Sequence, residues 1–433
     1  MHRFMVWSDI RVEIIKESLQ KLLPPILFKA LRGVFRFFKR LKDIPAVVLF
    51  YFCRIYPLED KVVATTFEGK KYGDNPQYIL EQIHRREPGI QIVWLCDKDY
   101  NIKLPDYIER ADYRNSFSKA YELSTAKVWI DTHRLKTFVR KRKGQLFIET
   151  WHGGLGLKKL DADSPKFNQM YTLMREVSNT SKLADLFISN SRHLTNIYRS
   201  AFQYTGKIWK SGYPKNDILF EDKEKYRQEV RNYYDLPSDI KIMVYAPTFR
   251  DNFRKDGVDM GVYEIDFEKV HDALEAKFGG KWEIIVRFHP FLMNLIKLEN
   301  QQKCVLDGTT FPEIQHLIMA SDAFISDYSS CLFDAAILEM PCFTFATDFE
   351  EYKNDRGVYY TMDELPFPYA KNNEQLLKNI CEFDSDAYHE KWQAFQRRTG
   401  LYETGHAAKD IAEVVIDFIK GNTKPLENVK NDF

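Results

Sequence analysis

From Lys61 onward, short apolar runs alternate with stretches whose apolar residues recur every three or four positions. KVVATTF (61–67), IQIVWLCD (90–97), KVWIDT (127–132), QLFIET (145–150) and LFISN (186–190) have strand length and end on polar or turn residues. Amphipathic segments such as PQYILEQIHRR (76–86) lie between them. A second series follows GYPKND (212–217): IKIMVYA (240–246), WEIIVRF (282–288), KCVL (303–306), DAFISD (322–327) and PCFTFA (341–346). FEKVHDALEAKF (267–278), PEIQHLIMA (312–320) and CLFDAAILE (331–339) read as its helices. Such alternation is the pattern of a parallel sheet covered by helices. Two series predict an α/β chain with two Rossmann-like domains facing a cleft. The expected division is an amphipathic segment at 1–58, domains at 59–208 and 209–395, and a final helix and tail at 396–433.

The N-terminal pattern is different. In ILFKALRGVFRFFKRLKD (26–43), Lys29, Arg32, Arg36 and Lys39 recur at helical spacing, while Leu27, Leu31, Val34, Phe35 and Phe38 fill the opposite side. The following IPAVVLFYFC (44–53) is about half the ~20 residues of a spanning helix. Two readings compete: a helix lying in the bilayer interface with its cations on anionic lipid, or an amphipathic helix packed on the domain. The opening MHRFMVWSDIRVEIIKESLQ lacks the sustained apolar core of a signal peptide.

Composition narrows the chemistry. The 433 residues suffice for two domains, and 44% hydrophobic with 29% charged residues is a globular balance. Lys+Arg 63 against Asp+Glu 62 leaves no global field for nucleic acid, so anion binding must be local. The six cysteines are scattered without a CxxC pair, which favours reduced thiols over a disulfide frame or zinc site. GxGxxG and GxxxxGK[ST] are both absent, against dinucleotide and P-loop readings.

Ligands in open α/β sheets bind beyond the carboxyl ends of strands. Four polar clusters fall there. In ETWHGGLGLKKL (149–160), His152 precedes glycines that let backbone approach a ligand, and Lys158 and Lys159 follow. Its imidazole can take a proton from an attacking hydroxyl, or simply bond to backbone. In YAPTFRD (245–251), Thr248 and Arg250 offer a hydroxyl and a guanidinium to phosphate or nucleotide, or form an ordinary strand-end turn. VRFHP (286–290) places Arg287 and His289 on one side by alternation, His289 suiting either a pyrophosphate or a structural hydrogen bond. In FISDYSSCLFD (324–334), Ser329 and Ser330 fall at the N-cap and first turn of a helix, where backbone N–H groups favour anions; capping explains one of them. The next strand leads to Asp348, Glu350 and Glu351, suited to the hydroxyls of a ribose or polyol.

In order, KVVATTFEGKKYGDNPQYI, TWHGGLGLKK, GYPKNDIL, YAPTFRD, RFHP and SDYSSCLFDAAILEMPCFTFATDFEEYKNDRG resemble the CDP-glycerol glycerophosphotransferase family. These are the wall teichoic acid primases and polymerases of Gram-positive bacteria. The resemblance runs from about Lys61 to TGHAA (404–408). WHGGLGLKK departs from the family's Trp-His-Gly followed by proline and lysine, and Lys215 stands where arginine is common.

The resemblance implies a GT-B architecture, with an N-terminal acceptor domain and a C-terminal domain for the CDP-activated donor. It implies a peripheral protein on the cytoplasmic side of the cell membrane, because the acceptor hangs from a polyprenyl diphosphate; this favours the interfacial reading of 26–43. An acceptor hydroxyl would attack the glycerol-bearing phosphate of CDP-glycerol, and CMP would leave. His152 is then the general base, and His289 with Ser329 and Ser330 holds the pyrophosphate. Thr248, Arg250 and Arg287 are candidates for nucleotide or phosphate contacts, Asp327 and Asp348 for orienting the site or binding donor hydroxyls. With no compact carboxylate–histidine cluster, no fixed metal or cofactor is expected; a loosely bound Mg²⁺ leaves no sequence mark. The alternatives are a CDP-ribitol transferase, a nucleotide-sugar GT-B glycosyltransferase and a non-catalytic membrane scaffold. A homo-oligomer is compatible with all of these.

Overall fold

The computed structural model describes residues 24–248, 250, 263–288 and 304–429. His289 lies outside these residues, as do the first 23 residues and the side chains of Lys29 and Arg32.

Two parallel sheets form the frame. The first contains β1 (Glu59–Thr65), β2 (Gln91–Cys96), β3 (Glu109–Asp112), β4 (Ala126–Asp131), β5 (Leu146–Glu149), β6 (Leu186–Ser189) and β7 (Lys207–Lys210). Their spatial order is β3-β2-β1-β4-β5-β6-β7. The second contains β8 (Lys241–Tyr245), β9 (Trp282–Val286), β10 (Val305–Asp307), β11 (Ala323–Ser326), β12 (Cys342–Phe345) and β13 (Tyr369–Ala370), ordered β10-β9-β8-β11-β12-β13. Each order reverses at one point, between β1 and β4 and between β8 and β11, where ligands bind in doubly wound folds. This is the two-domain GT-B arrangement that the alternating pattern and the resemblance led us to expect.

Most strands run within a residue or two of the apolar runs. Central strands such as β4 and β11 are buried on both faces, so they appear in sequence as continuous apolar stretches. The pattern missed β3, β7 and β13, which are short edge strands. Sequences such as ERAD and KIWK keep charge at the sheet edge, where one side stays open.

Five helices matter for function: α1 (Pro25–Phe52), α2 (Asp74–Arg86), α3 (Tyr171–Leu183), α4 (Cys331–Ala336) and α5 (Ala407–Ile419). The chain crosses back at its end. Ile411, Ala412, Val415 and Ile419 of α5 are buried with Ile79, Leu80 and Ile83 of α2, so the last helix completes the first domain's core. Asp217, between the two sheets, accepts hydrogen bonds from the Ala407 and Ala408 N–H groups at 2.9 and 2.7 Å and fixes the start of α5.

The two N-terminal segments form one 28-residue helix that continues through Pro45. Its C-terminal end is anchored by Phe50, which is fully buried among Val63, Ala120 and Leu123. Leu27, Leu31, Val34, Phe35, Phe38, Leu41, Ile44 and Val48 face outward and are exposed. The polar side faces the protein. Lys39 donates to Thr172 at 2.8 Å, Arg40 donates to Tyr171 at 3.1 Å, and Arg36 lies over the Tyr171 ring. No described helix is long and apolar enough to cross a membrane.

Candidate active site

The histidine loop follows β5. The Thr150 N–H and hydroxyl both donate to the Asp131 carbonyl, and Trp151 N–H donates to Glu149 at 2.9 Å. Trp151 then takes a left-handed φ of 52°, uncommon for a bulky residue. Its ring holds that conformation through an edge contact with Phe202 at 4.8 Å, with Arg134 over the indole. The turn sends His152 back toward β4, where Nδ1 lies 3.0 Å from the Thr132 carbonyl. A carbonyl only accepts, so Nδ1 carries the proton and Nε2 keeps its lone pair. Enclosure in the cleft is the main cause that pulls His152 down to about 3, against the Thr132 bond and with help from Lys158, Arg134 and Lys215. The ring is therefore neutral at physiological pH. Beneath it, Asp131 is pushed up to about 8 by burial and Glu149 is driven higher, so the floor carries little negative charge to repel a phosphate.

A buried bridge between the domains holds this loop in place. Lys215, on the 3₁₀ segment Pro214–Phe220, donates to the His152 carbonyl at 3.2 Å and to Asp334 of α4 at 3.1 Å. Asp334 also accepts from Asn216 and Gln315. Asn75 donates to the Trp151 carbonyl and accepts from Lys215 N–H, and the Tyr213 hydroxyl donates to the Gly153 carbonyl. Glu403 accepts from Asn190, Asn216 and Tyr213 N–H, all at 2.8 Å. Gly154 must lack a side chain, because a Cβ there would stand 2.6 Å from Asn190.

The facing wall brings together four of the predicted residues. Arg250 is buried and donates to Asp327 and the Thr248 carbonyl, each at 2.7 Å, and to both oxygens of Asp348 at 2.7 and 3.0 Å. Thr248 N–H and Tyr328 OH donate to Asp327 and Asp348 respectively, and the guanidinium lies over Tyr328. The charge of Arg250 is thus matched by two carboxylates, and the network ties the ends of β8, β11 and β12 into one surface. The Thr248 hydroxyl is buried without a hydrogen-bond partner among the described residues.

Ser330 occupies the N-cap position of α4, but its side chain makes no capping bond. Ser329 accepts from Cys331 N–H at 3.4 Å, a weak contact. The expected strong serine cap is therefore absent because Ser330 has helical backbone angles, φ −65° and ψ −19°, unlike the extended conformation of a capping residue. Its hydroxyl instead faces Gly153 across the cleft, 3.5 Å from where a Cβ would stand. Arg287 points elsewhere: it donates to the Gly308 and Phe311 carbonyls and braces the loop after β10.

Lys158 has no role that the sequence alone assigns. Backbone pairing of 157–159 with 357–359 joins the two walls beside it, with Lys159 N–H on the Gly357 carbonyl at 3.0 Å and Tyr359 N–H on the Leu157 carbonyl at 2.8 Å. Lys158 itself is exposed, and its charge acts on both His152 and Asp327, one on each wall. Protein on both sides, then Arg356 and Arg134, push it down to about 8. A neutral base, the Ser330 hydroxyl opposite its loop and the nearby Lys158 charge form a set suited to transfer between a hydroxyl and a phosphate. Among the described residues, no group of three or more His, Cys, Asp and Glu side chains is placed to hold a metal ion.

Residues 48–417 match the family CDP-Glycerol:Poly(glycerophosphate) glycerophosphotransferase. The chain belongs to this family.

Relatives of this glycerophosphotransferase family member follow the same line. It is 32% identical to the teichoic acid poly(glycerol phosphate) polymerase of Staphylococcus epidermidis over 84% of the chain, yet covers 53% of that protein, about half its length. It is 26% identical to the teichoic acid glycerol-phosphate transferase of Staphylococcus aureus, over 93% of the chain and 100% of that protein. A solved structure of a histidine-to-asparagine variant of the wall teichoic acid polymerase TagF with CDPG superposes with a TM-score of 0.76 at 30% identity, covering 91% of this chain and 97% of that one. In this family member, the loop of the His152 motif and the Ser330 turn, separate in sequence, face each other across the two domains.

Proposed function

We propose that this protein transfers glycerol phosphate from CDP-glycerol to a hydroxyl of a polyprenyl-diphosphate-linked acceptor, releasing CMP, in teichoic acid synthesis. The observation that carries the reading is His152, neutral with Nε2 unprotonated, on a loop that faces the Ser330 hydroxyl of the other domain and feels the Lys158 charge. The acceptor hydroxyl loses its proton to Nε2 as its oxygen bonds the glycerol-bearing phosphorus, and the phosphorus–oxygen bond to CMP breaks. Lys158 offsets charge on the phosphates. Positioning and electrostatics supply most of the catalysis in such a transfer, so no resident cofactor or metal enters this reading. In this reading Ser329 and Ser330 bind the donor, and His289 keeps the pyrophosphate role that the resemblance implies.

The experiment is a donor panel with purified full-length protein and a lipid-linked acceptor. CMP release and product mass gain from CDP-glycerol, exceeding CDP-ribitol and nucleotide sugars, are expected. Release from CDP-ribitol alone, or from none of these donors, would overturn the assignment.

The pH dependence has a calculable sign. His152 acts as a base only when unprotonated, so a value of about 3 leaves it competent from about pH 4 upward. Lys158 helps only when charged, and its charge is lost as pH rises through about 8. The kcat/KM for CDP-glycerol should therefore be flat between about pH 4 and 7 and fall through about 8. Lys158→Arg should shrink the alkaline limb, because a guanidinium stays charged there, leaving only what ionisation of Asp131 through about 8 contributes. An acid limb near pH 6.5, or an alkaline limb unchanged in Lys158→Arg, would contradict these assignments.

The protein is further read as peripheral on the cytoplasmic leaflet, with the exposed apolar side of α1 in the bilayer interface. Phe38→Asp with Leu41→Asp should weaken retention on phospholipid vesicles at least tenfold, since each buried apolar side chain contributes about 1.5–3 kcal/mol. Unchanged flotation would move the membrane contact away from α1.

A further inference from the structure

A second polar pocket lies outside the catalytic cleft, against the inner side of α1. It has a volume of about 370 Å³ and is lined by α3 and by the loop that follows β4, including Thr137, Arg140, Tyr171, Arg175, Ser178 and Lys182. We propose that it seats the diphosphate of the lipid-linked acceptor, an inference that rests on the acceptor reading above.

Charge identifies the ligand class. Arg175 is paired with Asp43 of α1 at 2.9 Å, so it adds little net charge. Arg140 spends one guanidinium nitrogen on the Thr137 and Val139 carbonyls, and no acid opposes it among the described residues. Lys182 is exposed and has no partner among the described residues. Two uncompensated cations thus face a pocket whose lining holds no carboxylate. A diphosphate diester carries two negative charges and matches them, whereas the phosphodiester of a bilayer phospholipid carries one.

Position supports the same ligand. Tyr171, Arg175 and Thr137 of the pocket wall are the residues that Arg40 and Asp43 of α1 contact. The opposite side of α1 is the exposed row of Leu, Phe, Ile and Val. With that row in a bilayer, the pocket opens at the headgroup level, where a lipid's diphosphate resides. The loop that supplies Thr137 and Arg140 begins at Thr132, whose carbonyl holds His152. Thr137 lies five positions after Thr132, a span of at most about 18 Å. A diphosphate held here would tether the acceptor's far end within reach of the catalytic base.

The test uses the full chain and vesicles of phosphatidylcholine, doped either with a polyprenyl diphosphate sugar or with phosphatidylglycerol at equal charge. The wild-type protein should bind the diphosphate vesicles at least tenfold more tightly. Arg140→Gln/Lys182→Gln should abolish that preference while α1 maintains binding to both. Lys182→Gln alone, at an exposed position without hydrogen bonds, should reduce the preference at least threefold without a folding penalty. Equal wild-type binding to both vesicles, or a preference untouched in the double variant, would overturn the seat. The readout needs no turnover. Absence of CMP release from CDP-glycerol would remove the donor reading without moving this measurement, and a failed preference in a protein that releases CMP would remove only the seat.

Discussion

Replacing His152 with asparagine should lower CMP release from CDP-glycerol by about 10²–10⁴-fold, the usual contribution of a positioned general base. Asparagine is the informative choice. Its side-chain amide can still donate to the Thr132 carbonyl, so the loop keeps its anchor, but nothing replaces the Nε2 lone pair. Lys215 on the His152 carbonyl, Asn75 on the Trp151 carbonyl and Tyr213 on the Gly153 carbonyl all act on the backbone and survive the substitution. Affinity for CDP-glycerol, measured by calorimetry, should stay within about threefold, because the base contributes in the transition state rather than to ground-state binding. If His152→Asn turned over within threefold of the wild type, another group would have to accept the proton.

Lys215→Met should destabilise the protein by about 3–5 kcal/mol, the cost of leaving one member of a buried ion pair without its partner. Lys215 and Asp334 are both almost fully buried, and Asp334 would keep only its bonds from Asn216 and Gln315. Removing both charges, in Lys215→Met/Asp334→Leu, should restore part of that loss, because no isolated carboxylate remains. Activity should not return with stability, since the His152 carbonyl has lost its donor and the histidine loop its link to α4. Urea unfolding midpoints and CMP release separate the two effects. A single variant as stable as the wild type would mean that the bridge contributes nothing to holding the domains.

Much of this site could be read along the chain. His152 stands at the end of an apolar run and before glycines, and strand ends in open α/β sheets are where ligands bind. Thr248, Arg250, Asp327 and Asp348 were found by the same rule. What they do for one another was not visible, because Arg250 meets carboxylates 77 and 98 residues away. A guanidinium that looked available for phosphate is occupied by two acids. The serine turn was legible as a strand-to-helix junction, but the backbone angles at Ser330 turn its hydroxyl toward Gly153 instead of the helix. The α1 cations were legible as one face; that this face packs on α3 follows only from the contacts with Tyr171 and Thr172.

By itself, the sequence determined the strand–helix alternation, the two α/β halves, the amphipathic first helix and the histidine at a strand end. These features depend on local periodicity and on whether a segment is buried on one face or both. The tertiary structure alone decided that Lys215 and Asp334, 119 residues apart, join the halves and hold the histidine loop. It also decided that Lys158 falls where backbone pairing joins the two domains, and that Arg140 and Lys182 line one pocket. Buried charges must find partners wherever the chain brings them, and sequence spacing carries no record of that distance.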